Sequence, residues 1–193
     1  MEIKICKINS NYENIAKKHF SKYVDDPHFN SLKNKKRICE FWNTISILED
    51  LLQTEHFLLK HHENGAPYLE NSSKHISISH SKNYIAVAIH QTAIGIDLEC
   101  EKERTLRLSK FFLNEEELRW IRNDDKRCTM MWCAKEAIYK IHQESCFNFQ
   151  TTIAIFETET NHFVGKVKEK DFYNLTFKNT DDYIFCIATK KQS

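Results

Sequence analysis

The sequence predicts an α+β fold made of two intimately packed halves in one chain. Two patterns carry this reading: strand-like alternation opens and closes each half, and helical spacing fills the middle of each. A third observation is that 41% of the 193 residues are apolar, enough to fill a core and to argue against disorder. Glycine and proline are scarce, at 3 and 2. Neither GxGxxG nor GxxxxGK[ST] occurs, which disfavours a Rossmann domain or a P-loop NTPase and leaves any phosphate to be held by another device.

Glu2–Ile8 alternates like a strand, and Ser10 with Glu13 has the spacing of a capping box opening a helix to about His19. Asp25-Asp26-Pro27 breaks it. From about Ser31 to Leu59, the positions of Ile38, Phe41, Ile45, Leu48, Leu51 and Leu52 predict one amphipathic helix or two in series. His62–Pro67 reads as a turn, and His75–Ser79 and Tyr84–His90 as strands joined by His80–Asn83. A seam near Gln91–Ala93 gives halves of residues 1–93 and 94–193. Ile94–Glu99 opens the second as a strand, and Asn114 with Glu117 forms another candidate capping box before a helix to about Arg122. Met130–His142 is a stronger helix with Cys133, Ala137 and Ile141 along one stripe. The runs 152–156, 163–167, 172–177 and 183–189 read as an antiparallel meander. The halves share an order of elements but no convincing residue repeat.

Charge and composition narrow the function class. With 28 basic and 27 acidic residues the net charge is +1, which provides no general field for nucleic acid or an anionic membrane. The longest purely apolar runs, Tyr84–Ile89 and Tyr183–Ala188, are too short to span a bilayer. Met1–Ser10 reads as a strand rather than a signal peptide. Seven cysteines, at 6, 39, 100, 128, 133, 146 and 186, include no CxxC pair and read as reduced thiols of a cytoplasmic protein. None of the ten histidines has HExxH or HxH spacing, so no zinc site is assigned.

Three constellations could carry chemistry. On the strand Ile94–Glu99, Asp97 and Glu99 emerge on one face while Ile94, Ile96 and Leu98 fill the other. Two such carboxylates favour protonation or a hard cation such as Mg²⁺, although an exposed acidic strand edge has the same spacing. Gly95 inside the strand marks close approach of a ligand or another backbone. On the helix Trp132–Lys140, Trp132, Glu136 and Lys140 share a face with Lys135 at its flank, which is also the pattern of an ordinary i,i+4 ion pair. Ile76–Ser81 is a strand ending in Ser79-His80-Ser81, read either as turn residues or as donors to phosphate oxygens. Lys33, Lys35, Lys36 and Arg37 form the densest basic run.

These pieces occur in one order: GAPYL, ISISHS, GIDLE and WCAKEAIYK, from Gly65 to Lys140. In that order the sequence resembles the 4′-phosphopantetheinyl transferase superfamily, specifically its single-chain surfactin-synthetase-activating type. The family pattern is G-[KR]-P-x, S-x-S-H-S, G-[IV]-D-[IL]-E and W-[ST/C]-x-K-E-[AS]-x-x-K. Phe111–Glu117 resembles the intervening F-[FL]-[ST]-x-x-E segment.

The resemblance implies two similar halves, each an antiparallel sheet packed on a long helix, with an active site between them and the metal site in the second. It implies transfer of the phosphopantetheine arm of coenzyme A to a serine of an apo acyl- or peptidyl-carrier protein, releasing adenosine 3′,5′-bisphosphate. Asp97, Glu99 and Glu136 would hold Mg²⁺, Glu136 would double as base, and Lys140 would contact the transferring phosphate. Lys135 would give electrostatic support, Ser79 and His80 would contact the 3′-phosphate of coenzyme A, and Lys36 and Arg37 match earlier basic positions. Such contacts favour a charged imidazole and hence pH-dependent binding. Two departures stand out: Ala66 replaces the usual cation before Pro67, and no arginine occurs around Asn43–Ser46 in the middle of the long helix. A non-catalytic coenzyme A or carrier-protein binder of the same fold is the alternative, and a divalent-metal hydrolase lacks a water-activating histidine. Two complementary halves make a monomer the expected state, with no nucleic-acid or membrane partner.

Overall fold

In the computed structural model, which describes residues 1–142, 148–159, 161–168 and 170–191, the chain divides into two compact units, 1–92 and 93–193. Both are α+β units with antiparallel sheets. Among the described residues no helix is long and apolar enough to cross a membrane. Cys146 lies outside the described residues, and the other six cysteines are free thiols.

The first unit runs β1 (Glu2–Lys7), α1 (Glu13–Tyr23), α2 (Pro27–Ser31), α3 (Lys35–Leu52), β2 (Leu59–His61), β3 (Pro67–Leu69), β4 (His75–Ser81) and β5 (Tyr84–His90). The Ser10–Glu13 capping box does not form: α1 starts at Glu13 behind Tyr12, which makes no side-chain cap bond, and continues to Tyr23 because buried His19 and Tyr23 prolong its apolar face. Asp26 caps α2 by accepting from Phe29 N–H, with Pro27 at the first helical position. The long helix is one element and shorter than its apolar pattern: Asn34 caps it at Lys36 N–H, and left-handed Gln53 ends it. His62–Pro67, read as a turn, contains the bend of the β2–β3 hairpin, which has Gly65 at φ +84°. β5 pairs with both β1 and β4, and α3 covers this sheet through Phe41, Trp42, Ile45 and Leu48 against Ile76, Ile85, Val87 and Ile89.

The second unit runs β6 (Ile94–Glu99), α4 (Lys102–Phe112), α5 (Glu115–Ile121), α6 (Asp125–His142), α7 (Phe149–Thr152), β7 (Ile153–Glu159), β8 (His162–Val167), β9 (Asp171–Asn179) and β10 (Ile184–Lys190). Its sheet order is β6-β10-β9-β8-β7, the expected meander with β6 returned onto its last strand. The first unit repeats this logic, since β1 pairs with its last strand β5. The capping box at Asn114 and Glu117 forms with both reciprocal bonds at 2.9 Å.

Helix α6 is the spine of this unit. Its Cys133–Ala137–Ile141 stripe faces β6, and the two backbones approach so closely that a Cβ on Gly95 would stand 1.8 Å from the Ala137 carbonyl oxygen. The close approach marked by Gly95 is therefore to another backbone. Gly165 on β8 is also tight, but there the obstacle is the tip of Ile138 at 2.2 Å, a side chain that can turn away. We expect Gly95→Ala to cost about 3 kcal/mol and Gly165→Ala about 1 kcal/mol, because only the first clash is with main chain. Denaturant titration followed by Trp120 and Trp132 fluorescence reads both, and equal losses would contradict this packing account.

In the first unit His61 stacks on His28, with ring centroids 3.5 Å apart and planes 13° apart. Its Nδ1 is buried without a hydrogen-bond partner among the described residues. Burial, reinforced by His28 and His62 and opposed by Asp26, pushes the His61 pKa down to about 4, and burial lowers His28 too. An unfolded histidine binds its proton near pH 6.5. Between those values the unfolded chain holds more protons, so stability present above pH 6.5 is lost as pH falls towards 4. Melting followed at Trp42 should show that decline, and His61→Phe should flatten it; an unchanged slope in the variant would contradict the assignment.

Candidate functional site

Strand β6 lies at a sheet edge, yet Asp97 is buried, unlike a solvated acidic edge. Alternation puts Gly95, Asp97 and Glu99 on the face turned to α6. Because Gly95 lets that helix settle onto the strand, Lys140 reaches across: Nζ donates to Asp97 Oδ1 at 2.8 Å and to the Ile96 carbonyl at 2.9 Å. Glu99 Oε1 accepts from the N–H groups of Cys100 and Glu101, at 2.7 and 2.8 Å, which turn the chain out of the strand.

Glu136 lies one turn before Lys140 on α6, partly buried. Burial, then the charge of Asp97 and more weakly that of Glu99, pushes its pKa up to about 7 against the opposing pull of Lys140. The three carboxylates therefore act on one another electrostatically. Among the described residues, however, no three His, Cys, Asp or Glu side chains converge as a group that could hold a metal. The donor set is chemically suited to a hard divalent ion, whose charge would offset this mutual repulsion.

Lys135 has a different environment from Lys140. It is completely buried, and Nζ donates to the carbonyls of Phe112, Phe149 and Ile153 at 2.8–2.9 Å while pairing with Glu117 Oε2 at 2.7 Å. Burial lowers its pKa and the Glu117 charge opposes that shift. Its ammonium is thus fully engaged by main chain and Glu117, ordering the segments that surround α6. Glu117 in turn accepts from Ile155 N–H at 2.9 Å besides closing the capping box.

In the first unit, Arg37 of α3 meets His80 of β4, with Nη1 donating to His80 Nε2 at 2.8 Å. The imidazole accepts there, so this contact does not display the charged form expected against a phosphate. Buried Glu40, one turn after Arg37, takes 3.0 Å from the same guanidinium nitrogen and lies 3.6 Å from His80 Nε2 and 3.8 Å from Lys36 Nζ. Ser79 is buried on the opposite face of β4 from His80, as adjacent strand residues must be. No arginine stands in the middle of the helix, and Asn43 there is a structural residue. It accepts from Asn9 N–H and donates to the Asn9 and Cys39 carbonyls, tying the end of β1 to α3. Ala66 is buried at the end of the β2–β3 bend, directly before β3.

Sequence reasoning missed two members of these clusters. Glu40 carried a signal, since it stands three and four residues after Arg37 and Lys36. Glu117 was recognised only as a cap; nothing local shows that its capping oxygen Oε2 also pairs with Lys135 while Oε1 accepts from Ile155 of β7.

The 4′-phosphopantetheinyl transferase gsp of Aneurinibacillus migulanus is 23% identical over 170 residues, covering 85% of this chain and 70% of that protein. The model of the 4′-phosphopantetheinyl transferase superfamily matches residues 93–188, which include Asp97, Glu99, Lys135, Glu136 and Lys140. Through that segment the chain belongs to the 4′-phosphopantetheinyl transferase superfamily.

Proposed function

We propose that the protein moves the phosphopantetheine arm of coenzyme A to a serine of an apo acyl- or peptidyl-carrier protein, releasing adenosine 3′,5′-bisphosphate. The observation that carries this reading is the Lys140–Asp97 contact beside Glu136, in the segment matched by the superfamily model. Asp97, Glu99 and Glu136 are the residues that would hold Mg²⁺, which when bound supplies Lewis-acid and template chemistry at a diphosphate. In the transfer, the serine oxygen forms a bond to the phosphorus nearer the pantetheine, and the bond from that phosphorus to the bridging oxygen breaks. The bridging oxygen leaves with adenosine 3′,5′-bisphosphate, and the serine proton passes to Glu136, directly or through a water.

Lys140 presents its ammonium to the phosphoryl oxygens on which charge develops, positioned by Asp97 and the Ile96 carbonyl. Arg37 and His80, with Lys36 beside them, contact the 3′-phosphate of coenzyme A, whereas Ser79, buried on the other face of β4, supports that strand end from behind. Lys135 supports the reaction by fixing α6, so its effect on phosphate is electrostatic and indirect. The same reading takes the protein to act as a monomer in the cytoplasm, in keeping with its free cysteines.

Incubation with coenzyme A, Mg²⁺ and a panel of apo carriers, followed by intact mass measurement, tests the proposal. A carrier heavier by one phosphopantetheine is expected. Coenzyme A bound in calorimetry with no mass gain on any carrier would instead establish the non-catalytic binder. Glu136→Gln should lower transfer at least about 100-fold, the scale of a lost general base, while circular dichroism stays native. Undiminished transfer in that variant would overturn the role given to Glu136.

A further inference from the structure

Glu40 is a buried acid of the first unit to which the proposed reaction gives no role. Its side chain is 5% exposed, whereas those of Lys36 and Arg37 are 62% and 55% exposed. The carboxylate therefore lies on the inner side of the two cations. A carboxylate removed from water persists only where charge and hydrogen bonds answer it, and those partners are Arg37 and Lys36 on α3, with the His80 imidazole at the end of β4 held beside them through Arg37.

One guanidinium nitrogen serves both contacts. Arg37 Nη1 donates to Glu40 Oε2 at 3.0 Å and to His80 Nε2 at 2.8 Å, which leaves the other N–H groups of a five-donor fork for another acceptor. An exposed arginine without such an anchor would give up rotamer freedom when an anion arrives; here that ordering precedes the anion.

We infer that Glu40 is a positioning residue for phosphomonoester recognition, a buried counter-charge that holds Arg37 and His80 side by side so that they meet the anion as one unit. The inference rests on the reading of this protein as a coenzyme A-dependent transferase and adds the residue that sets its selectivity for the 3′-phosphate. Because the cations stand between Glu40 and solvent, an incoming phosphate meets positive charge first, and orientation outweighs repulsion by the acid behind it. A dianionic phosphate matches the planar fork through paired charge-assisted bonds, so misorienting the fork weakens binding of that group specifically.

The test compares coenzyme A with 3′-dephospho-coenzyme A as donors for wild type and Glu40→Gln, measuring KM and kcat separately. Glu40→Gln is expected to raise KM for coenzyme A about tenfold with kcat within about twofold, the pattern of lost ground-state binding. KM for the dephospho donor should stay constant, so discrimination between the donors shrinks by the same factor. An equal rise in KM for both donors marks a merely structural role and overturns the inference, as does an unchanged or lower KM for coenzyme A. Should Glu40→Gln fail to fold, Glu40→Asp is read by the same criteria, with a smaller loss in the same direction. Calorimetry with adenosine 3′,5′-bisphosphate on the wild type separates the two levels. If wild type binds neither this nucleotide nor coenzyme A, the transferase reading fails; if it binds both and Glu40→Gln behaves identically, only the role of Glu40 fails.

Discussion

The buried pair of Lys135 and Glu117 sets the position of everything else in the second unit. Lys135 gathers the carbonyls of Phe112, Phe149 and Ile153, and Glu117 gathers the N–H groups of Asn114 and Ile155. Together they join α6 to the end of α4, the start of α5, α7 and β7 around one point with no solvent exposure to speak of. Replacing such a pair by apolar groups can be harmless, but removing one member strands a charge in a low dielectric at about 3–5 kcal/mol. Its value is in registration. With Lys135 locked inward, the next residue, Glu136, must leave the helix about 100° away, and Lys140 follows one turn later. The Gly95 contact sets the height of the same helix over β6, and these two constraints bring Lys140 onto Asp97.

The first unit solves a smaller problem by similar means. A helix must present two neighbouring cations, Lys36 and Arg37, beside the imidazole at a strand end, although like charges repel. Glu40 makes this possible from beneath, and Asn43, one turn later on α3, fixes the helix to the end of β1. Neither residue lies on a motif of the family pattern. Both show that a buried polar group, fully answered, can set geometry for exposed groups that do the binding.

Much of this was legible in the sequence because its signals are local. Strand alternation at Ile94–Glu99 and the four-residue spacing of Trp132, Glu136 and Lys140 place the carboxylates and the lysine on definite faces, and the Asn114–Glu117 box announces a helix start. What stayed hidden depends on partners distant along the chain. Lys135 and Lys140 are both lysines on one helix, and only the fold shows that the first is surrounded by carbonyls 14 to 23 residues away while the second meets Asp97. The Ser10–Glu13 pattern looked like a cap and was not one, because the apolar face that decides where α1 lies extends to Tyr23. Glycine at 95 could mark a ligand or a backbone, and Ala137 supplies the answer.

Asp97 and Glu99 on β6 and Glu136 on α6 are proposed as the residues that would hold a divalent ion in a coenzyme A-dependent transferase. Manganese titration read by electron paramagnetic resonance, in the presence of coenzyme A, tests this assignment most directly. The account predicts one bound Mn²⁺ per chain in the wild type and its loss in Asp97→Asn with circular dichroism unchanged. No uptake by the wild type, or equal uptake by the variant, would contradict it.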